Sequence, residues 1–132
     1  TLWASVVIDG KHTKEMIVDS GAQSLALPYA LAKEMGLEPQ STDPRITLVL
    51  ADGREIPGFL KTIGTVRVGK FLVEGVECVV MDESAIAARP LLGMSFLGNF
   101  KFEVDKARAI LKMVKVDEET NTGKREAAKK KE

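Results

Sequence analysis

Apolar residues in this chain arrive in short runs cut by Gly, Pro and Asp-Gly pairs, the pattern of strands joined by tight turns. Residues 3–8 predict a first strand, Asp9-Gly10 a hairpin turn and residues 13–18 the return strand. Residues 46–50 and 55–60 read as a second hairpin. Between them Ala51, Asp52, Gly53 and Arg54 carry an Asp-Gly pair, which favours a two-residue turn. Residues 65–68, 71–73 and 76–81 continue the strands, with turns expected at Gly69-Lys70 and Glu74-Gly75. A closing hairpin follows, residues 102–104 with 109–114, around Asp105-Lys106.

Two segments favour helix. Residues 28–35 open on Pro28, whose fixed φ suits a first helical turn, and stop before Gly36, which suits a left-handed ending. Residues 95–100, after Leu91-Leu92-Gly93, are compatible with a short second helix. Together these elements predict a mostly-β domain over residues 1–116, a small closed barrel with one or two short helices. From Asp117 onward alternating charges take over and no apolar stripe remains. Residues 117–132 are therefore expected as a charged tail outside the core, flexible or partly helical. It would be solvated or make a basic contact with a partner or membrane surface.

Composition narrows the function classes. A chain of 132 residues, 45% of them hydrophobic, is long enough for one core. Its 19 basic and 19 acidic residues cancel, which argues against nucleic acid as the main partner, because phosphate binding needs a basic surplus. Cys78 is the single cysteine, so no disulfide forms within the chain, and its apolar neighbours predict a buried, inert thiol. No apolar run approaches the ~20 residues of a membrane span. The chain begins on Thr1, which leaves room for a leader or anchor ahead of it. Membrane contact is expected only through parts outside this chain, and periplasmic, membrane-anchored and cytoplasmic locations all stay open.

One stretch carries chemistry: Met16-Ile17-Val18-Asp19-Ser20-Gly21-Ala22. An apolar strand delivers a carboxylate, then a hydroxyl, then a glycine that lets the backbone bend sharply. Hydrolysis of a peptide bond without metal or covalent intermediate needs one group to deprotonate water and another to protonate the carbonyl oxygen or leaving nitrogen. Two carboxylates sharing one proton do both, since like charges ~3 Å apart cannot both ionise. The motif occurs once, so a dyad needs a second copy of the chain at a twofold axis. Ser20 is expected to hydrogen-bond across that axis, and Gly21 to let backbone N–H groups approach the carboxylate. Ala22 has no hydroxyl to donate to the outer carboxylate oxygen. A less acidic pH optimum is expected than with Ser or Thr there, and an Ala22→Ser variant should shift it toward acid.

With this stretch and Pro90-Leu91-Leu92-Gly93-Met94-Ser95-Phe96-Leu97 both in view, the chain resembles the retroviral-type (retropepsin-like) aspartic proteases, most of all their bacterial branch. The resemblance covers residues 4–114. It implies a homodimer with a peptide cleft between subunits, Asp19 as catalytic residue and Ser20 gripping the partner loop. It also implies that Leu91, Leu92 and Gly93 cross behind the catalytic loop, and that Ala51, Asp52, Gly53 and Arg54 form the tip of a substrate-binding flap. The chain departs from the family in three respects. Serine replaces the commoner threonine at position 20, the flap tip carries charges instead of apolar glycine-rich sequence, and the C-terminus runs on.

Other arrangements are discarded. Gly93-Met94-Ser95-Phe96-Leu97-Gly98 misses the serine-hydrolase elbow because its second glycine comes one place late. His12, the only histidine, reads as an exposed hairpin residue. No His/Cys cluster has metal-ligand spacing and no phosphate-binding glycine loop occurs, so neither metal nor cofactor is expected. Trp3 and the phenylalanines read as core or interface residues. The chemistry thus points to an aspartic endopeptidase acting on extended polypeptide, with Leu25, Leu27, Val49 and Ile56 as apolar cleft residues. Its rival is a catalytically silent retropepsin-like module for dimerisation or peptide binding.

Overall fold

The computed structural model describes residues 1–85 and 88–116; the expected tail, 117–132, lies outside them. Strands β1 (Trp3–Ile8) and β2 (His12–Val18) pair antiparallel through a tight loop. Asp9 and Gly10 there both hold positive φ, 53° and 67°, as the short-range pattern demands. After a loop that contains Asp19 come β3 (Leu25–Leu27) and helix α1 (Tyr29–Glu34), with Pro28 at its N-cap and Gly36 at φ +77° just past its end. Strands β4 (Arg45–Val49), β5 (Glu55–Val68) and β6 (Phe71–Met81) form two successive antiparallel hairpins. The chain closes with β7 (Leu91–Leu92), helix α2 (Met94–Leu97), β8 (Phe100–Asp105) and β9 (Ile110–Lys115).

Seven strands make one sheet in the order β1-β2-β7-β3-β6-β5-β4. β1 also pairs with β5, at Val6↔Val68, Val7↔Arg67 and Ile8↔Val66, so the sheet returns on itself as a ring and only β4 stands outside it. This is the mostly-β, closed architecture with few short helices that the turn pattern predicted. Inside the ring Val6, Ile8, Met16, Leu25, Ile63 and Phe96 are fully buried. Each large apolar side chain removed from water in this way contributes about 1.5–3 kcal/mol. Phe100 stacks against Phe71 and Phe96, with ring centroids 5.1 and 5.2 Å away, and so fastens α2 and β8 to the start of β6.

Several local expectations need correction. Residues 55–60 and 65–68 belong to one 14-residue strand, and residues 71–73 and 76–81 to one 11-residue strand. No reversal occurs at Glu74-Gly75. Pairing holds register on both sides (Ile63↔Val76, Thr65↔Glu74), and Gly75 takes φ +65° within the strand. At Gly64, in the partner strand, a Cβ would lie 2.9 Å from the Asp9 carboxylate, which accepts the Thr65 N–H and would have to shift. The second helix starts one residue early and ends at Leu97, because Phe100 already pairs with Lys115. Strand β3 was not anticipated. His12 is half-buried, and Cys78 is fully buried as expected, its thiol pushed up to about 12 by burial.

Candidate active site

Asp19 follows the last residue of β2, and its position is set by the strand next door. β7 runs parallel to β2 at Ile17↔Leu91 and Val18↔Leu92, and the Asp19 N–H donates to the Leu92 carbonyl at 3.0 Å. The chain then turns tightly, with the Ala22 N–H reaching the Asp19 carbonyl at 3.2 Å. Inside this turn the Asp19 Oδ1 accepts the Gly21 N–H at 2.9 Å. A Cβ on Gly21 would sit 3.2 Å from the same oxygen, a tight contact to which the carboxylate would have to yield by a few tenths of an ångström.

Leu91, Leu92 and Gly93 pass directly behind this loop. β7 lies between β2 and β3, and the Met94 N–H donates to the Ala22 carbonyl at 2.8 Å. Gly93 has no room for a side chain. An added Cβ would fall 2.3 Å from the Ser24 carbonyl oxygen and 2.7 Å from that of Ala22. One residue in this constellation escaped the sequence reading. The Ser95 hydroxyl accepts the Leu25 N–H at 3.0 Å and donates to the Glu77 carbonyl at 2.7 Å, bridging β3 to β6. Its only signal was a lone hydroxyl in the run Met94-Ser95-Phe96-Leu97.

β4 of the β4–β5 hairpin lies outside the ring, and the hairpin's tip shares with Asp19 the lining of a cavity of about 450 Å³. Asp19, Ile17 and Leu91 line it together with Leu50, Ala51, Asp52, Arg54 and Ile56 of the hairpin. The tip is a three-residue loop, not the two-residue turn expected. The Gly53 N–H donates to the Leu50 carbonyl at 2.9 Å, and Gly53 stands at φ +88°, the geometry of a type I turn closed by a left-handed residue. Asp52 accepts both the Arg54 N–H at 3.0 Å and the Arg54 Nε at 2.8 Å, which holds its carboxyl below the usual carboxylate range.

Ser20 is exposed on the loop and borders, with Gly21, Ala22, Glu77 and Ser95, a shallow depression separate from the cleft. Of the four apolar residues expected in the cleft, Ile56 lines it. Leu25 and Leu27 do not: both are fully buried in the core on β3, an interior strand between β7 and β6. Val49 is 62% exposed at the end of β4, beside the hairpin tip. Among the described residues no group of His, Cys, Asp and Glu has the arrangement of a metal site.

Known proteins share this organisation. Residues 4–99 match the model of the family described as "gag-polyprotein putative aspartyl protease". A Sinorhizobium sp protein, described as an uncharacterized protein in the cobV 5′ region, is 31% identical over 99 residues, 74% of this chain and 40% of that one. The chain therefore spans about two-fifths of the length of that curated relative. The crystal structure of a retropepsin-like aspartic protease from Rickettsia conorii aligns with a TM-score of 0.62 at 25% identity, covering 79% of this chain and 76% of that one.

Proposed function

Because the chain belongs to the retropepsin-like aspartic protease family, we propose that it is an aspartic endopeptidase that works as a homodimer, with Asp19 supplied by each subunit. The observation that carries this reading is the placement of Asp19. It is pinned by the backbone of β7, stabilised by one N–H from its own turn, and opens into a cleft roofed by a hairpin.

A dyad within one chain is a poor alternative. Asp52 is the one other acid lining the cleft among the described residues, and Arg54 occupies both of its oxygens. A carboxylate so paired does not share a proton at working pH, so it cannot serve as the acid half of the couple. A second Asp19 can. The two side chains would activate one water by general base action while the shared proton goes to the substrate carbonyl. An extended polypeptide would lie across the axis beneath both flaps, adding to their strands.

Exposed apolar surface supports self-association. Among the described residues β9 pairs with β8 alone; Ile110 and Val114 on it and Val116 just past its end are 37%, 61% and 46% exposed. Domain assignment follows the same line: residues 1–116 form the protease domain.

The experiment is hydrolysis of an unfolded protein across about pH 4 to 7, at concentrations where sedimentation shows a dimer. An Asp19→Asn variant should lose cleavage by several orders of magnitude while it keeps its fold and its dimer. Should the wild-type dimer cleave nothing across that range, the non-catalytic peptide-binding module becomes the better account.

A further inference from the structure

The cleft beside Asp19 has apolar walls, and its remaining charges are unequal in kind. Asp52 and Arg54 neutralise each other within the flap tip at 2.8 Å. Arg89 lines the same cavity, is exposed, and makes no ion pair among the described residues. It lies just ahead of β7. Leu91 pairs with Ile17, and Arg89 and Asp19 lie two residues from these in opposite directions along the chain. Arg89 lines the cleft together with Leu91, Ile17 and Asp19. In the parallel register Arg89 and Asp19 are offset by four positions and line one cavity, so an extended peptide, at about 3.3 Å per residue, reaches from one to the other in about four residues.

We propose that Arg89 is the specificity-determining residue of this cleft and binds an acidic side chain of the substrate, Glu or Asp, within about four residues of the bond that is cut. The inference rests on the protease reading above and refines its expectation of apolar side chains alone. Ile17, Ile56, Met81 and Leu91 still favour apolar groups at neighbouring subsites. The guanidinium offers a planar fork of donors that a carboxylate meets with two hydrogen bonds. A peptide lying in the cleft excludes water from that pair and strengthens it. In a homodimer the two copies of Arg89 would place one such cation on each side of the scissile bond.

The test uses fluorogenic peptides of one sequence, apolar at the scissile bond, with single flanking positions carrying Glu, Gln or Lys. The assay runs above about pH 5, where the glutamate is ionised. At the responsive position the wild type should show a Glu-to-Gln ratio in kcat/KM of about tenfold, the scale of one charge-assisted contact. Arg89→Gln should bring that ratio to about one, and Arg89→Glu should reverse the order in favour of Lys. An order unmoved by Arg89→Glu, or a wild type indifferent to Glu and Gln at every position, overturns the proposal. The same peptides are titrated by fluorescence anisotropy against the Asp19→Asn protein with and without Arg89→Glu. A wild type that hydrolyses nothing sinks the protease reading alone, while the binding ratios still decide the role of Arg89.

Discussion

Two loops face each other across the cleft, and they are held in opposite ways. The loop from Asp19 to Ser24 is tied to distant parts of the chain: Asp19 to Leu92, Ala22 to Met94, and Leu25 beside it to Ser95. The flap tip, residues 50–54, is closed by Leu50 to Arg54, Gly53 to Leu50 and Arg54 to Asp52, all within the hairpin itself. Among the described residues no hydrogen bond joins that tip to the rest of the molecule. Under the proposed function the Asp19 carboxylate must be placed within a fraction of an ångström, whereas the hairpin tip must admit substrate and close over it. Non-local bonds give the first property. Bonds confined to the hairpin give the second, because the tip can swing as a unit without breaking any of them.

The sharpest way to break this contrast is to substitute the glycine that each loop depends on. Gly93→Ala drives a methyl group into the carbonyls of Ser24 and Ala22, which are backbone atoms and cannot rotate away. We expect a loss of about 3 kcal/mol or more in urea unfolding, together with loss of cleavage. Gly53→Ala meets open space and suffers only the strain of φ +88°, about 1 kcal/mol. Equal losses in the two variants would mean that the catalytic loop is no more constrained than the flap.

Ser95→Ala tests the same idea with a smaller change. It removes one hydroxyl and leaves the Leu25 N–H and the Glu77 carbonyl without this partner. Groups orphaned in this way cost about 1–3 kcal/mol. Activity should fall further than a matching loss of stability alone produces, because β3 leads out of the Asp19 loop. A Ser95→Ala protein with wild-type midpoint and wild-type turnover would show the bridge to be incidental.

How much of this was legible in the chain depends on how local each feature is. The hairpin at Asp9-Gly10, the helix between Pro28 and Gly36 and the closing hairpin all announce themselves within a few residues, through turn and cap chemistry. The Asp19 loop and Leu91-Leu92-Gly93 were recognisable as two motifs, and the structure places them in contact. β3 was hidden because three residues, Leu25–Leu27, form a strand only by inserting between β6 and β7. For the same reason Leu25 and Leu27 were mistaken for cleft residues: apolar character alone does not distinguish a substrate wall from a core. The break expected between residues 60 and 65 and the turn expected at Glu74-Gly75 are both absent, because the ladder of β5 and β6 carries through them in register. Arg89 was overlooked because nothing in its neighbours signals a charge aimed at a cleft.

The smallest expected effect concerns the base of the flap rather than its tip. The Lys61 Nζ on β5 donates to Asp43 Oδ2 at 2.7 Å, half-buried, just ahead of β4, and the Leu60 N–H donates to the Pro44 carbonyl at 2.8 Å. So the hairpin is anchored where it leaves the ring, even though its tip is free. The Lys61 ammonium, helped by the Gln40 N–H, holds the Asp43 carboxyl below the usual carboxylate range. A carboxyl with a lowered folded-state pKa stabilises the protein fully above its unfolded value, about 3.9, and stops doing so as pH falls through the folded value. Asp43→Asn should therefore unfold earlier than the wild type near neutral pH, with the gap in thermal midpoint closing as pH drops below about 4. A gap that stays constant with pH would assign the loss to packing around residue 43, and the charge would not be what fastens the flap to the ring.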